Sequence, residues 1–238
     1  MTGALPLERS SQLDMIKTPA LADIPLSRVA RRKERTKRQL LEVARRLFSE
    51  KGIYWATVED ITELADLGKG TFYKYFDSKE TIIRVLLEEG LDELLLKTDH
   101  AVRNVSSHSK ILGAVIGARA DFFLTYPDYL LLFHQVRGLM QLQGETAKDL
   151  REVYDAHLRR LAQLIRPSMG PGMVVSARDV ATAIAAYTSG LLTYHVLFEG
   201  QEAVRRKRDH FVEVLERSLR ALLKTGNEFR SEARSKRS

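Results

Sequence analysis

The chain has 238 residues, 44% hydrophobic and 29% charged, with a formal net charge of +7; it can bury a sizeable core as one large domain or two modest ones. It has no cysteine, which excludes disulfides, thiolate nucleophiles and Cys-ligated zinc and fits a reducing compartment. A basic balance points to a polyanionic partner only if the charge proves to be clustered.

Only 6 prolines are present, and Leu, Ala, Arg and Glu dominate, which favours helices over sheets. Residues 1–27 hold Pro6, Pro19 and Pro25 without a sustained period and are expected to form a disordered arm. No apolar stretch of signal-peptide length lies between Met1 and Ala30. Runs such as Ile111–Ile116 and Leu130–Phe133 are too short to cross a bilayer. The expected setting is the cytoplasm, with no membrane partner.

A basic run follows. Between Arg28 and Arg46 nine Lys/Arg, among them Arg35 and Arg38, face two acids, a surplus that equals the net charge of the whole chain. Within it Leu40, Val43, Ala44, Leu47 and Phe48 recur at helical spacing, and Gly52 closes the helix. Thr57 reads as an N-cap, with Asp60 as an acid in the first turn. Val58, Ile61, Leu64 and Ala65 are the expected buried face of a short helix, and Asp66-Leu67-Gly68 breaks it. Lys69–Phe76 forms a second short helix that buries Phe72 and Phe76. Ser78 caps a longer helix running to about Lys97, with Ile82, Val85, Leu86, Leu91 and Leu94 inside.

The rest reads as helix throughout: Lys110–Tyr126 stopped by Pro127, Asp128–Gln141, Thr146–Arg166, a loop at 167–175, Ser176–Phe198 closed by Gly200, and Ala203–Lys224. The tail 226–238 is polar. Gly113, Gly117, Gly138 and Gly190 fall inside helices, where glycine permits close packing or leaves room for a ligand.

The informative stretch is Thr57 to Lys79, TVEDITELADLGKGTFYKYFDSK. Two short helices joined by a tight turn and backed by a basic helix have helix-turn-helix geometry, in which the second helix enters the major groove. Lys69 and Lys74 can neutralise phosphate or reach base edges, Thr71 can bond to either, and Tyr73 and Tyr75 carry hydroxyls within reach of phosphate oxygens. Gly70 lets the backbone approach DNA closely. Thr57 and Lys79 stand at helix N-termini, which favour an anionic oxygen.

Arg38 to Glu80 resembles the DNA-binding domain of the TetR family, whose hallmark is a K-G-T-hydrophobic-Y-x-Y-F core followed by S-K-E; here the residues are KGTFYKYF and DSKE. The resemblance covers roughly residues 34–94. It implies DNA contacts from Thr57, Lys69, Thr71, Tyr73, Lys74, Tyr75 and Lys79. Asp66 stands where the family usually has Gly, and Gly68 where it usually has Ser as the cap of the recognition helix. Asp tolerates a left-handed backbone and Gly is an acceptable cap, so the fold survives and the departure bears on base preference.

The resemblance further implies an all-α architecture. A three-helix DNA-binding domain is joined to a larger ligand-binding and dimerisation domain over about 100–225. Arg119, Tyr126, His134, Arg137, Tyr187, Tyr194 and His195 are the polar candidates to orient a small-molecule effector. Ala183, Ala186, Gly190 and Leu191, with Phe211, Val214, Leu215, Leu219 and Leu222, suit a four-helix homodimer bundle through the last two helices; intramolecular packing is the other use for them. The expected protein is a repressor that leaves a palindromic DNA operator when its effector binds. It uses no cofactor, no metal and no catalytic residue. A ligand-free DNA-binding adaptor and an all-α enzyme are the rivals. The enzyme lacks HExxH, a P-loop, and any paired histidines at metal-ligand spacing among the 6 present.

Overall fold

The computed structural model describes residues 27–170 and 175–235, with side chains as far as Ala221. The expected arm, apart from Ser27, lies outside the described residues, as do Pro171 and Gly172 and the side chain of Leu222. Among the described residues every regular element is helical.

The chain divides into one unit ending at Thr36 and a second beginning at Lys37. The described part of the first is the opening of α1 (Arg28–Lys51), started by Ser27, whose hydroxyl accepts from the Ala30 amide at 3.1 Å. In the second unit, α1 continues with Leu40, Leu41, Ala44, Leu47 and Phe48 buried as one stripe. Gly52, at φ +90°, ends it in the left-handed conformation that glycine adopts without a Cβ penalty.

Next come α2 (Val58–Leu64), α3 (Lys69–Phe72) and α4 (Lys79–Arg103). Thr57 caps α2 in a reciprocal capping box with Asp60, and the Ser78 hydroxyl caps α4 by accepting from the Thr81 amide. Asp66 adopts φ 51°, the left-handed turn expected of it. Two local expectations need correcting. The second short helix stops at Phe72, and Tyr73–Tyr75 form a turn. Leu64 is 51% exposed, because the buried face of α2 centres on Ile61, Thr62 and Ala65 and Leu64 falls just beyond its margin.

Beyond these lie α5 (Ile111–Thr125), α6 (Pro127–Leu139), α7 (Glu145–Ile165), α8 (Ala177–Glu199), α9 (Gln201–Arg206) and α10 (Arg208–Ser235). Pro127 occupies the first turn of α6, where its missing N–H costs nothing. The last helix therefore differs from the sequence expectation: it is broken at Lys207 and runs past Lys224 into the tail.

Two apolar clusters form the core. The larger joins the inner faces of α1–α4 to α5 and α6; the smaller packs α5, α7, α8 and α10 around Val115, Leu161, Ile184 and Leu215. In α4, Gly90 is required by close approach: a Cβ there would lie 2.5 Å from the Tyr129 ring and 2.9 Å from Phe133. By length and composition α8 could cross a membrane, which the short apolar runs did not indicate, but 44% of its most apolar window packs inside the fold.

Candidate functional site

Phe72 and Phe76 anchor the reading head by burying their rings, 5.6 Å apart, against the core. With these rings fixed, Lys69 and Gly70 on α3 and Tyr73 and Lys74 in the turn after it face outward, with Thr71 partly so. Tyr73 is 54% exposed, whereas Tyr75 is half-buried against the core. Lys69 pairs with Glu59 of α2, and this contact holds the Glu59 carboxyl below its usual range. Gln39 of α1 donates to the Ala65 carbonyl at 2.7 Å, fixing the turn between the two short helices.

Two proposed DNA contacts are engaged within the protein. The Thr57 hydroxyl accepts from the Asp60 amide and donates to Asp60 Oδ2 at 2.9 Å. Lys51 donates to the same oxygen at 2.6 Å. Lys51 first, then the Thr57 amide and hydroxyl, hold the Asp60 carboxyl down to about 2. A phosphate at this helix end would meet a carboxylate already in place. Lys79 donates to the carbonyls of Ile53 and Ala56, each at 2.9 Å, pinning the start of α4 to the turn after α1. Its sequence position suggested DNA; its geometry makes it first a strut. Arg38 is exposed and lies 3.8 Å from Glu89, and Arg35 is exposed in the first unit.

The effector candidates separate. His134 is exposed, and Tyr187 and Tyr194 face outward from α8, opposite Thr188, Ser189 and Leu192, so none of the three is enclosed. His195 is bonded to Glu199 at 2.5 Å and packs on Phe211, and Tyr126 packs on Phe122 with Lys97 over its ring. Arg119 and Arg137 do point inward. Arg119, 1% exposed, contacts His157 Nε2 at 3.3 Å. Arg137 donates to Tyr154 at 3.2 Å and to Ser189 at 2.5 Å. Sequence reading missed His157, Tyr154 and Ser189, which look like ordinary members of amphipathic helices.

The bundle assignment also shifts. Phe211, Leu215 and Leu219 are buried in the chain's own core. The apolar and aromatic residues left outward on α8 are Ala186, Tyr187, Tyr194, Leu197 and Phe198, the last 81% exposed.

A third group joins the two regions. Gln135 of α6 donates to the Phe48 carbonyl at 3.0 Å and accepts from the Ile53 amide at 2.6 Å. Arg45 of α1 pairs with Asp128 at 2.7 Å and lies over the Tyr129 ring. Both contacts tie α1 to α6.

Comparison with known proteins agrees with this geometry. Residues 40–86 match the family model described as bacterial regulatory proteins, tetR family. The chain is 28% identical over 173 residues to the HTH-type transcriptional regulator TtgR of Pseudomonas putida, covering 67% of this chain and 79% of that one. It is 39% identical over 80 residues to the HTH-type transcriptional repressor KstR2 of Rhodococcus jostii, covering 34% and 37% of the two. Its fold is similar to that of FadR from Bacillus subtilis, solved in complex with stearoyl-CoA, with a TM-score of 0.63, 18% identity, and coverage of 75% and 96%. Residues 40–86 therefore carry the DNA-binding segment of the tetR family of bacterial regulatory proteins, and most of the chain is similar to transcriptional regulators of that kind.

Proposed function

We propose that this protein is a DNA-binding repressor that α3 and the turn after it dock into the major groove, and that a small molecule in the second domain releases it. The carrying observation is the division of side chains at the reading head: Phe72 and Phe76 inward, Lys69, Gly70, Tyr73 and Lys74 outward. Lys74 and Tyr73 make the leading contacts, with Lys69, Gly70, Thr71 and Tyr75 beside them. Arg35 and Arg38 add phosphate neutralisation. Thr57 and Lys79 contribute chiefly by holding α2 and α4 in place.

A TetR-family relative named as a repressor, KstR2, supports repression, and a fold neighbour solved with stearoyl-CoA supports a small-molecule effector. The matched relatives are transcriptional regulators, which supports a non-enzymatic role in the cytoplasm, where the DNA is. The operator is palindromic because the active species is a homodimer. It forms through the outward stripe of α8, with Tyr187, Tyr194, Leu197 and Phe198 at helical spacing. Effector binding shifts α6, and Gln135 carries that shift to the α1–α2 turn.

Fluorescence anisotropy with a duplex from the protein's own promoter region tests this. Salt-sensitive binding that prefers this duplex over a scrambled one is expected. Equal affinity for both duplexes would overturn the reading.

A further inference from the structure

Arg119 and Arg137 form the most unusual group in the interior. Arg119 is fully buried, remains a cation at neutral pH and lies 5.9 Å over the Phe123 ring, yet among the described residues its one hydrogen-bonding contact is the neutral ring of His157, and its Nε has no hydrogen-bond partner. The partners of Arg137 are a phenol and a hydroxyl. Ser189 already donates its hydrogen to the Ala185 carbonyl at 2.7 Å and so receives Arg137 as an acceptor. Among the described residues neither guanidinium has a carboxylate partner, and Arg137 is close enough to act electrostatically on Arg119. A fully buried cation with a like charge beside it, and no counter-ion, is costly unless something else supplies the negative charge.

A groove reaches the histidine that covers Arg119. A groove of about 650 Å³ lies between α4 and α7, and His157 is part of its wall as well as the partner of Arg119. At its mouth Arg84 pairs with Glu88 and Arg160 with Asp92, each at 2.5 Å, and Asp149 and Glu152 also line it, so an anion is drawn in by the buried guanidiniums and not by the rim. Leu91, Val153 and Ala156 make its apolar lining. Planar guanidinium groups match the two oxygens of a carboxylate or phosphate, and an acid oxygen is a far better acceptor for Arg119 than an imidazole nitrogen.

We propose that Arg119 and Arg137, reached past His157 from the α4–α7 groove, bind the acid group of a small amphipathic organic anion, a carboxylate or a phosphate monoester, whose apolar part occupies the groove. This rests on the ligand-responsive reading above and names the effector's chemical class. Tyr154 and Ser189 hold Arg137 in place, and His157 gives up Arg119 when the anion arrives. Burial and the neighbouring Arg119 keep His157 unprotonated, with a pKa held down to about 3, so it adds no third positive charge.

The test is thermal unfolding of the full chain with decanoate, decyl phosphate or decanol, in wild type and in Arg119→Met and Arg137→Met. At least one acid is expected to raise the wild-type midpoint with saturation, while decanol leaves it unchanged. Each variant should shift half-saturation upward about tenfold or more, as loss of charge-assisted hydrogen bonds requires. A response to decanoate alone assigns a carboxylate, and a response to decyl phosphate alone assigns a phosphate. Arg137 is only half-buried, so its variant remains informative should the Arg119 variant not fold. Equal responses to decanol and the acids, variants that respond like wild type, or no response to either acid would overturn the proposal. Operator anisotropy on the same samples keeps the two readings apart. Wild type that binds operator but is released only by neutral compounds loses this inference and keeps the regulator, whereas wild type that never binds operator loses the regulator itself.

Discussion

Lys74→Ala removes one cation from the outward side of the reading head and nothing from the core. Affinity for operator should fall about tenfold, and the slope of log affinity against log salt should shrink by about 0.9, the value for one lost phosphate contact. An unchanged slope would show that Lys74 does not touch the backbone. Lys79→Met behaves differently: with Ile53 and Ala56 left without their donor, the domain should lose about 1–2 kcal/mol in urea unfolding. A stable Lys79→Met protein with weakened DNA binding would restore Lys79 to the interface. His157 supplies a pH prediction. Its ordinary value of 6.5 is held down to about 3 in the fold by burial, then Arg119 and Arg160. The unfolded chain therefore binds a proton that the folded chain refuses between these values. Stability is fully present above pH 6.5 and falls by up to about 1.4 kcal/mol per pH unit as the medium is acidified towards 3. His157→Gln should flatten urea unfolding across that window; an unaltered pH dependence would contradict the buried neutral imidazole.

Helices carry the next set of constraints. Gly90→Ala puts a methyl group where the Tyr129 ring already lies, at 2.5 Å. Overpacking of this kind costs about 1–3 kcal/mol. Because Tyr129 also lies under Arg45, the effect should reach the α1–α6 contact. A melting temperature equal to wild type would mean that α4 and α6 separate more easily than their packing implies. What could be read in advance at this scale was local. The Thr57 and Ser78 caps, the break at Asp66-Leu67-Gly68 and the buried pair Phe72 and Phe76 each follow from residues within four positions of one another. Gly90, Gln135 and Lys79 could not be read that way, since their partners Tyr129, Phe48 and Ile53 lie tens of residues away and leave no local period. Helix α8 failed for another reason: it is apolar on most sides, so periodicity did not separate inward Ser189 from outward Tyr187 and Tyr194.

At the scale of the whole molecule, the proposed homodimer works by holding two reading heads at one spacing. The outward stripe of α8, with Tyr194 and Phe198 stacked 6.2 Å apart, is the surface assigned to that task. Replacing both residues with glutamate should leave thermal stability nearly unchanged, convert the protein to monomer in light scattering, and weaken operator binding more than tenfold, because each half-site would then be bound without its neighbour. A double variant that stays dimeric would move the interface elsewhere. The central claim remains the outward face of α3 and the turn after it. It is tested most directly by titrating salt against operator affinity for wild type and a Tyr73→Ala, Lys74→Ala double variant of unchanged melting temperature. The account predicts a steep salt dependence in wild type and a loss of preference for operator over scrambled duplex in the variant. A variant that keeps both the wild-type affinity and the wild-type preference would contradict it.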